Sequence, residues 1–329
     1  MITDVKSLVD GVLSGEPRSL ARAISVIENH MPGWEQCLEQ MYLHSGRAEI
    51  LGFTGAPGVG KSTLVNAVME QLLNMGKKVA VLAIDPSSPF SGGALLGDRI
   101  RMSKSMLQKN AFIRSMSTRG AMGGIAASTW DVSYVLDAAC YDVIIIETVG
   151  VGQVEVDVMR GVDVCVVVLV PGMGDSIQAL KAGIIEIADV FVINKADRDG
   201  ANALERELNM VLSLADSMPK VEIVKTCATS GQGVADLLRA KDEFRKAAAS
   251  LGLKQKKRKD FARSVLFQQM SSLILAEIMA IDANDVQIEA GVERIVNERV
   301  APLIVARDLV ARYKALCGSS LYNLQKGFL

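Results

Sequence analysis

Only two histidines and five cysteines occur among the 329 residues, which limits the metal and redox chemistry that the chain can carry. The number of cysteines is odd, the cysteines are scattered, and no C-x-x-C pair occurs in the sequence. This argues against a disulfide framework or a zinc knuckle and favours reduced thiols in the cytoplasm. We predict that both histidines, His30 and His44, are surface residues.

Long apolar runs and an excess of one charge are missing as well. The longest strongly apolar run, Val164–Val170, is far too short to span a membrane. The first ten residues include acids and lack the apolar segment of a signal peptide. A net charge of −1 gives no electrostatic reason to expect nucleic acid or an acidic membrane surface as a partner. The expected location is therefore the cytoplasm, with no membrane and no nucleic acid among the partners.

The composition is that of an ordinary globular protein, with half of the residues apolar and 22% charged. Short apolar runs without alternation are separated, for the most part, by stretches with helical spacing. This pattern predicts an α/β fold with a mainly parallel sheet flanked by helices on both faces. Ligand-binding groups should then lie at the carboxyl ends of the strands. The predicted strands are Ile50–Thr54, Val79–Ile84, Phe112–Ser115, Val143–Glu147, Val164–Val170, Val190–Asn194 and Glu222–Thr226.

Helical extensions are predicted on both sides of this region. The predicted organisation is an N-terminal helical extension (1–46), a nucleotide-binding domain (47–240) and a C-terminal helical region (241–329). Apolar stripes in the last region pack either on the core or on a partner subunit, and the sequence alone does not separate these two outcomes. The basic stretch at 254–260 is interpreted as a solvated helix face or a linker rather than as a binding patch.

Residues 55–63, GAPGVGKST, form a complete G-x-x-x-x-G-K-[ST] phosphate loop between a predicted strand and a predicted helix. Backbone N–H groups at a helix start point toward an anion, and glycines allow the chain to approach it closely. Lys61 can reach the β- and γ-phosphates, and the Ser62 hydroxyl can hold magnesium. The residues expected to bind the nucleotide here are Gly55, Ala56, Pro57, Gly58, Val59, Gly60, Lys61, Ser62 and Thr63.

The segment 194–197, NKAD, closes the sixth predicted strand and is expected to select guanine. The Asp197 carboxylate offers two acceptors, and guanine presents two adjacent N–H donors, whereas adenine would leave a polar atom unpaired. Asn194 and Lys195 would brace the loop and cover the base. The segment Thr226-Cys227-Ala228-Thr229, at the end of the last strand, lies where a backbone N–H could meet the guanine O6, and Cys227, Ala228 and Thr229 are the expected contacts.

The segment ETVG at 147–150 follows the fourth predicted strand. Glu147 can hold magnesium directly or through water, and the N–H of Gly150 can contact the γ-phosphate. Many GTPases have Asp in place of this Glu. Val151 stands where well-known GTPases have a water-positioning Gln, which predicts weak intrinsic hydrolysis. Gln153 and Glu155 are nearby candidates for orienting the water.

Two further carboxylates are candidates for the magnesium site. Asp85 ends the second predicted strand, and Asp98 lies in the following stretch, which is rich in proline, glycine and serine and is predicted to be a switch-like loop. Magnesium prefers hard oxygen ligands and few protein groups. Arg99 and Arg101 either reach a phosphate or are solvated.

The loop after the fifth predicted strand reads PGMGD at 171–175, and Lys181 follows one helical stretch later. From the residues alone, this loop is either an ordinary strand–helix turn or another nucleotide-responsive segment.

With these motifs identified, the chain resembles the MeaB/ArgK family of P-loop GTPases, which includes the mitochondrial methylmalonic aciduria type A protein. The resemblance covers nearly the whole chain. The long loop between Pro86 and Met102 and the Glu in ETVG are specific marks of the family, and modest departures occur at Ala121-Met122 and Arg160-Gly161. The resemblance is strongest at GAPGVGKST, IDPSSPFSGGALLGDRIRM, IRSMSTRGAMGG, ETVGVGQVEVD, PGMGDSIQALKAGIIEIAD and NKAD.

This resemblance implies a GTPase that acts as a chaperone for an adenosylcobalamin-dependent acyl-CoA mutase of the methylmalonyl-CoA mutase type. GTP hydrolysis would gate the loading of intact cofactor and the ejection of damaged cofactor. The expected cofactors are Mg²⁺ and, as substrate, GTP, whereas adenosylcobalamin belongs to the partner and is not bound here. The family also implies a homodimer formed through helices outside the nucleotide domain.

Residue roles follow from the same resemblance. Arg101 would approach the phosphates, and Lys181 would lie in a third switch that responds to the mutase. The implied magnesium ligands are Ser62, Asp85, Asp98 and Glu147. The residues expected to take part in catalysis are Lys61, Glu147 and Lys181.

Two alternative functions remain open at this point. A nickel-type metallochaperone GTPase would need a His/Cys cluster to hold the ion, which the few histidines and dispersed cysteines do not favour. An ATP-dependent kinase linked to amino-acid transport would need an acceptor pocket and should not prefer guanine.

Overall fold

The structure is a computed structural model of the chain. It describes residues 4–85, 110–117, 124–148, 150, 153–172, 185–214, 219–281 and 286–313. Within this part of the chain, seven strands form one parallel sheet with the order β3-β2-β4-β1-β5-β6-β7. The strands are β1 (Glu49–Thr54), β2 (Val79–Asp85), β3 (Ala111–Ser117), β4 (Val143–Thr148), β5 (Val164–Leu169), β6 (Val190–Ile193) and β7 (Glu222–Lys225). The parallel sheet and the seven predicted strands are thus confirmed.

Helices precede, separate and follow these strands. A single helical turn, Ile185–Ile187, also leads into β6. This single turn is labelled α7. The longer helices are α1 (Val5–Leu13), α2 (Pro17–Glu28), α3 (Trp34–Leu43), α4 (Lys61–Asn74), α5 (Gly124–Ala138), α6 (Gln153–Met159), α8 (Ala201–Leu214), α9 (Val234–Ser250), α10 (Leu253–Ile281), α11 (Val286–Val296) and α12 (302–313).

Both faces of the sheet are covered, because the central strands are apolar at successive positions. All six residues of β4 and all six of β5 are buried. Alternate strand residues pack against α4 and α9 on one face, and the others pack against α1–α3, α5, α6 and α8 on the opposite face. Full burial of an aliphatic side chain contributes about 1.5–3 kcal/mol, so these two layers supply much of the driving force for folding.

The N-terminal helices are joined to the sheet through Asp137 at the end of α5. Asp137 is only 5% exposed. Its carboxylate accepts hydrogen bonds from the backbone N–H groups of Gly46 (2.6 Å), Arg47 (3.2 Å) and Ala48 (3.1 Å). A buried carboxylate needs such donors to offset its desolvation. These contacts fix the linker that enters β1. The predicted surface positions of His30 and His44 are confirmed, since both residues are exposed.

The basic stretch at 254–260 lies on a helix, and five of its seven residues are exposed. At the start of α10, Lys254 pairs with Asp163 at 3.1 Å and Lys257 pairs with Asp189 at 2.8 Å. The two aspartates directly precede β5 and β6, and Asp163 also accepts from the N–H of Ile50 at 3.0 Å. The prediction of a solvated helix face is thus largely confirmed, while the half-buried Lys254 and Lys257 also pair with the shielded carboxylates at the strand starts.

Contacts divide the chain into two compact units, Met1–Phe261 and Ala262–Leu329. Within the second unit, Gly291 packs against Val305, and Arg294 pairs with Asp308 at 2.8 Å. The domain boundaries after residues 46 and 240 stay a prediction. In the part of the chain that the structure describes, the helices lack the combination of length and apolar character that a membrane span requires.

Candidate functional site

The phosphate loop connects the end of β1 to the first residue of α4, as predicted. Gly55, Gly58 and Gly60 all have positive φ angles, of 151°, 81° and 90°. A Cβ atom on Gly55 would lie 2.3 Å from the carbonyl oxygen of Val168, and one on Gly60 would lie 2.6 Å from Nδ2 of Asn194. Glycine is therefore required at positions 55 and 60 on steric grounds, and the loop ends in the backbone N–H groups of a helix start.

Lys61 lies folded over this loop. Lys61 is only 6% exposed, and its Nζ donates hydrogen bonds to the carbonyl oxygens of Gly55 at 2.7 Å and Ala56 at 2.9 Å. A buried ammonium group needs such acceptors because desolvation of an unpaired charge is costly. The positive charge is thereby held within the loop, where the oxygens of an anion could take the place of the carbonyls.

Ser62 and Glu147 meet at the base of the loop. The hydroxyl of Ser62 lies 2.7 Å from Oε1 of Glu147, which is 4% exposed and next to last in β4. Strand β2 runs beside β4, with Ile84 paired to Thr148, so the backbone of Asp85 also ends at this edge. A hydroxyl and a carboxylate on adjacent elements are the hard oxygen groups that magnesium prefers.

Asn194 connects the phosphate loop to the segment after β7. The side chain is 1% exposed, and Nδ2 donates to the carbonyl oxygen of Val59 at 2.9 Å. Its Oδ1 accepts from the hydroxyl of Thr226 and from the N–H of Ala228, both at 3.1 Å. Three partners saturate most of the amide's hydrogen-bonding capacity, so Asn194 acts as a rigid brace between the two loops.

The rest of the NKAD segment extends from this brace. Lys195 adopts a left-handed φ of 54°, and its Nζ donates to the carbonyl oxygen of Gly58 at 2.9 Å. Asp197 is exposed, as a group that receives a ligand must be. The structure therefore brings the start of the NKAD segment into contact with residues 58–60 of the phosphate loop.

The segment at 227–229 forms a tight turn next to NKAD. The N–H of Cys227 donates to the carbonyl oxygen of Gln232 at 3.0 Å, and its Sγ lies 3.4 Å from the hydroxyl of Thr229. Ala228, the middle residue, is buried and held through its N–H by Asn194. The three residues predicted from sequence are thus brought to the NKAD segment.

A pair of threonines to which the sequence analysis gave no role also belongs to this edge of the sheet. Thr54 ends β1 and Thr148 ends β4, and their hydroxyl oxygens are 3.0 Å apart. Both lie close to the carbonyl oxygen of Gly150, at 3.0 Å from Thr54 and 3.2 Å from Thr148. The available sequence signal was a polar residue at the end of an apolar run for Thr54, and a place within the ETVG segment for Thr148.

Several predicted residues cannot be placed. Asp98, Arg99, Arg101, Val151 and Lys181 lie outside the described residues. The same holds for the side chains of Asp85, Gln153 and Glu155.

Comparisons with known proteins find relatives over most of the chain. The family model described as "Methylmalonyl Co-A mutase-associated GTPase MeaB" matches residues 20–283. GTPase ArgK of Escherichia coli is 34% identical over 308 residues, which cover 90% of this chain and 92% of that protein. The mitochondrial methylmalonic aciduria type A homolog of Mus musculus is 37% identical over 260 residues, which cover 73% of this chain and 63% of that protein. A crystal structure described as an LAO/AO transport system kinase matches with a TM-score of 0.70 and 28% identity, covering 95% of this chain and 99% of that chain.

Proposed function

The chain belongs to the family of methylmalonyl-CoA mutase-associated GTPases, and from this premise we propose that it is a magnesium-dependent GTPase serving as chaperone for an adenosylcobalamin-dependent acyl-CoA mutase. In this proposal, GTP hydrolysis controls the loading of intact cofactor and the removal of damaged cofactor. Adenosylcobalamin is held by the mutase and not by this chain. The expected location is the cytoplasm.

The observation that carries the nucleotide part of the proposal is the bridge made by Asn194. One side chain joins the phosphate loop at Val59 to the turn at Ala228. A triphosphate bound at the loop would therefore have its base at the NKAD segment, and a single brace would keep the two ends of the cleft at a fixed separation. This arrangement supports the binding of one guanine nucleotide across the whole edge of the sheet.

We assign the phosphate end of the nucleotide to the helix start and to Lys61. On GTP binding, the ammonium group of Lys61 exchanges the carbonyl oxygens of Gly55 and Ala56 for oxygens of the β- and γ-phosphates. The N–H of Gly150 contacts the γ-phosphate. The other proposed phosphate contacts are Pro57, Gly58, Val59, Gly60, Ser62, Thr63 and Arg101.

The donor set at Ser62 and Glu147 fits magnesium. Both groups offer oxygen, they lie 2.7 Å apart, and the carboxylate is buried at a strand end close to the phosphate loop. Asp85 and Asp98 complete the proposed ligand set. When bound, the ion would neutralise the charge that develops on the phosphates. Without it, the hydroxyl of Ser62 keeps the Glu147 carboxylate hydrogen-bonded.

At the base end, Asp197 is proposed to accept hydrogen bonds from the two adjacent N–H donors of guanine. Its exposure leaves the carboxylate accessible to a ligand. Lys195, held to the phosphate loop at Gly58, would cover the base. The turn at 227–229 would offer a backbone N–H to the guanine O6.

Hydrolysis itself demands little covalent chemistry from the protein, because phosphoryl transfer depends mainly on positioning and charge. Lys61 and Glu147 are proposed to act in this step, and Lys181 is proposed to respond to the mutase. Gln153 and Glu155 are candidates for orienting the attacking water. Slow GTP hydrolysis by the chain alone, accelerated by a partner, would suit a chaperone better than fast hydrolysis without a partner.

The proposed assembly is a homodimer. Large apolar side chains are exposed on the helices of the second unit, among them Leu266, Phe267, Leu273 and Leu303. Exposed apolar surface of this kind is typical of protein interfaces, and it supports a second copy of the chain as the partner there.

The decisive experiment measures GTP turnover alone and with a candidate adenosylcobalamin-dependent acyl-CoA mutase. We expect slow turnover by the GTPase alone and a clear increase when the mutase is added. The second readout is transfer of adenosylcobalamin to the apo-mutase, which should require GTP and magnesium. Unchanged turnover and nucleotide-independent loading with every such mutase would contradict the chaperone role while leaving the GTPase assignment intact.

A second candidate function is an ATP-dependent kinase, because the structural relative with a TM-score of 0.70 is described as a transport system kinase. The two functions differ in the base that is bound and in the acceptor of the phosphoryl group. Calorimetry with GTP and ATP, followed by product analysis with γ-labelled nucleotide, separates them. Tight binding of ATP with transfer of label to an acceptor other than water would favour the kinase.

A further inference from the structure

Two threonine hydroxyl groups, at the ends of β1 and β4, contact the carbonyl oxygen of Gly150 and have no part in the proposed function. Phe53 of β1 pairs with Glu147 of β4 in parallel register, so the next residues, Thr54 and Thr148, close the two strands side by side. The threonines are 2% and 0% exposed, so their hydroxyls are shielded from bulk water. Because neighbouring residues of a strand point to opposite faces, the pair lies on the face away from Glu147 and Ser62.

We propose that Thr54 and Thr148 are positioning residues for Gly150 and, through it, for the γ-phosphate of GTP. The inference rests on the proposed function, in which the N–H of Gly150 contacts the γ-phosphate. Glycine has no side chain to restrict its backbone, so an anchored carbonyl limits the rotations that would turn its N–H away. The two hydroxyls provide this anchor at 3.0 and 3.2 Å.

The number of hydroxyl protons that the two threonines can donate determines how the single and double substitutions should differ. Each hydroxyl has one proton to donate. Thr54 donates to the carbonyl oxygen of Gly150, and Thr148 donates to the same oxygen or to Oγ1 of Thr54. Removing one hydroxyl leaves the other as a donor, whereas removing both leaves the carbonyl with neither. The effect of the double substitution should therefore exceed the sum of the two single effects.

The nucleotide dependence separates positioning from a general structural role. Only GTP has a γ-phosphate, so loss of the anchor should weaken binding of GTP and of its non-hydrolysable analogue while leaving GDP binding nearly unchanged. A threonine that merely stabilised the strand ends would affect GDP and GTP analogue alike, or would lower the thermal unfolding temperature with no change in nucleotide preference.

The experiment uses the full chain with Thr54→Val, Thr148→Val and the double variant, and it measures GDP and GTP-analogue affinities in the presence of magnesium. We expect the analogue affinity to fall by less than about twofold in each single variant and about tenfold in the double variant, because only the double variant leaves the carbonyl without a donor. The GDP affinity should change by less than about twofold. Thr54→Ser and Thr148→Ser, which keep the hydroxyl, should restore the analogue affinity.

Two matched variants serve as controls. Thr129→Val replaces another fully buried threonine, whose hydroxyl has no hydrogen-bond partner among the described residues, and it should change neither affinity. Thr226→Val removes a hydrogen bond to Asn194 at the other end of the cleft and should weaken GDP and the analogue equally.

Each outcome has a definite meaning. If the wild-type chain binds both nucleotides and the double variant keeps the wild-type ratio of GDP to analogue affinity, this inference is overturned and the proposed function is not. A wild-type chain that binds neither guanine nucleotide overturns the proposed function and this inference with it. Selective loss of analogue binding, recovered by serine, supports both.

Discussion

The hydroxyl of Ser62 donates a 2.7 Å hydrogen bond to Oε1 of Glu147, although the two residues are 85 positions apart in the chain. The first turn of α4 and the end of β4 are brought together by the parallel sheet, in which β1 and β4 are neighbours. The phosphate loop is therefore joined to the strand end that precedes Gly150. This contact places the hydroxyl of Ser62 beside the carboxylate of Glu147.

The first prediction concerns Glu147→Gln, which keeps the shape of the side chain and removes its charge. Because a neutral amide is a poor partner for magnesium, we expect GTP turnover to fall by at least about tenfold, as roughly 10- to 100-fold losses follow even from changes in the outer shell of metal sites. Turnover measured across a magnesium titration checks this. Glu39→Gln, at an exposed helical position, is the control. Wild-type turnover and magnesium dependence in Glu147→Gln would contradict the ligand assignment.

The second prediction concerns the base. Asp197→Asn exchanges one acceptor of the carboxylate for an NH₂ donor, which opposes the donors of guanine and matches the additional carbonyl of xanthine. We expect the affinity for GTP to fall about 100-fold or more and that for xanthosine triphosphate to rise, since mismatched polar groups discriminate strongly. Competition binding with both nucleotides is the measurement. Asp199→Asn, two residues further along and also exposed, should retain the preference for GTP. Full GTP preference in Asp197→Asn would refute the role of Asp197.

The parts of the fold that could be predicted from sequence are those with a local signal. The runs at β4 and β5 are apolar at every position, which marks a strand buried on both faces, and the structure buries all of them. The phosphate loop was recognisable because only glycine fits at Gly55 and Gly60, so the steric requirement appears directly in the sequence. NKAD was recognisable because its residue types and its place at a strand end are those expected of a guanine-binding segment.

The contacts that escaped prediction join residues far apart in the chain. Nothing near Lys257 in sequence indicates that it pairs with Asp189, 68 positions away. Thr54 and Thr148 are 94 positions apart and meet only because β1 and β4 are neighbours in register. Such pairs follow from the strand order, which local apolar periodicity does not specify.

The third prediction tests the brace between the two ends of the cleft. Asn194→Ala leaves the carbonyl of Val59, the hydroxyl of Thr226 and the N–H of Ala228 without their shared partner. We expect a loss of about 2–4 kcal/mol in the free energy of unfolding, because buried polar groups left unsatisfied cost roughly 1–3 kcal/mol each and some will find water. Thermal unfolding measures this loss.

The same variant should weaken GDP and GTP equally, since the brace supports the base side and the phosphate side together. Asn209→Ala, on the exposed side of α8, is the matched control and should change stability by less than about 0.5 kcal/mol. An Asn194→Ala chain with wild-type stability and nucleotide affinity would show that the two loops hold their positions without the brace.

The fourth prediction concerns the pH dependence of stability at Asp131 on α5. Burial raises the pKa of this carboxyl from 3.8 to about 6. Between pH 4 and pH 6 the folded chain therefore holds a proton that the unfolded chain has lost. The contribution of Asp131 to stability is full below about pH 4 and is lost as the pH rises through about 6.

Asp131→Asn stays neutral, so it should be more stable than wild type by roughly 1–3 kcal/mol at pH 7.5, and the difference should vanish near pH 4. Denaturant unfolding at both pH values measures the difference, with Asp10→Asn at an exposed helical position as the control. A stability difference that is constant between pH 4 and 7.5 would mean that Asp131 titrates alike in the folded and unfolded chains.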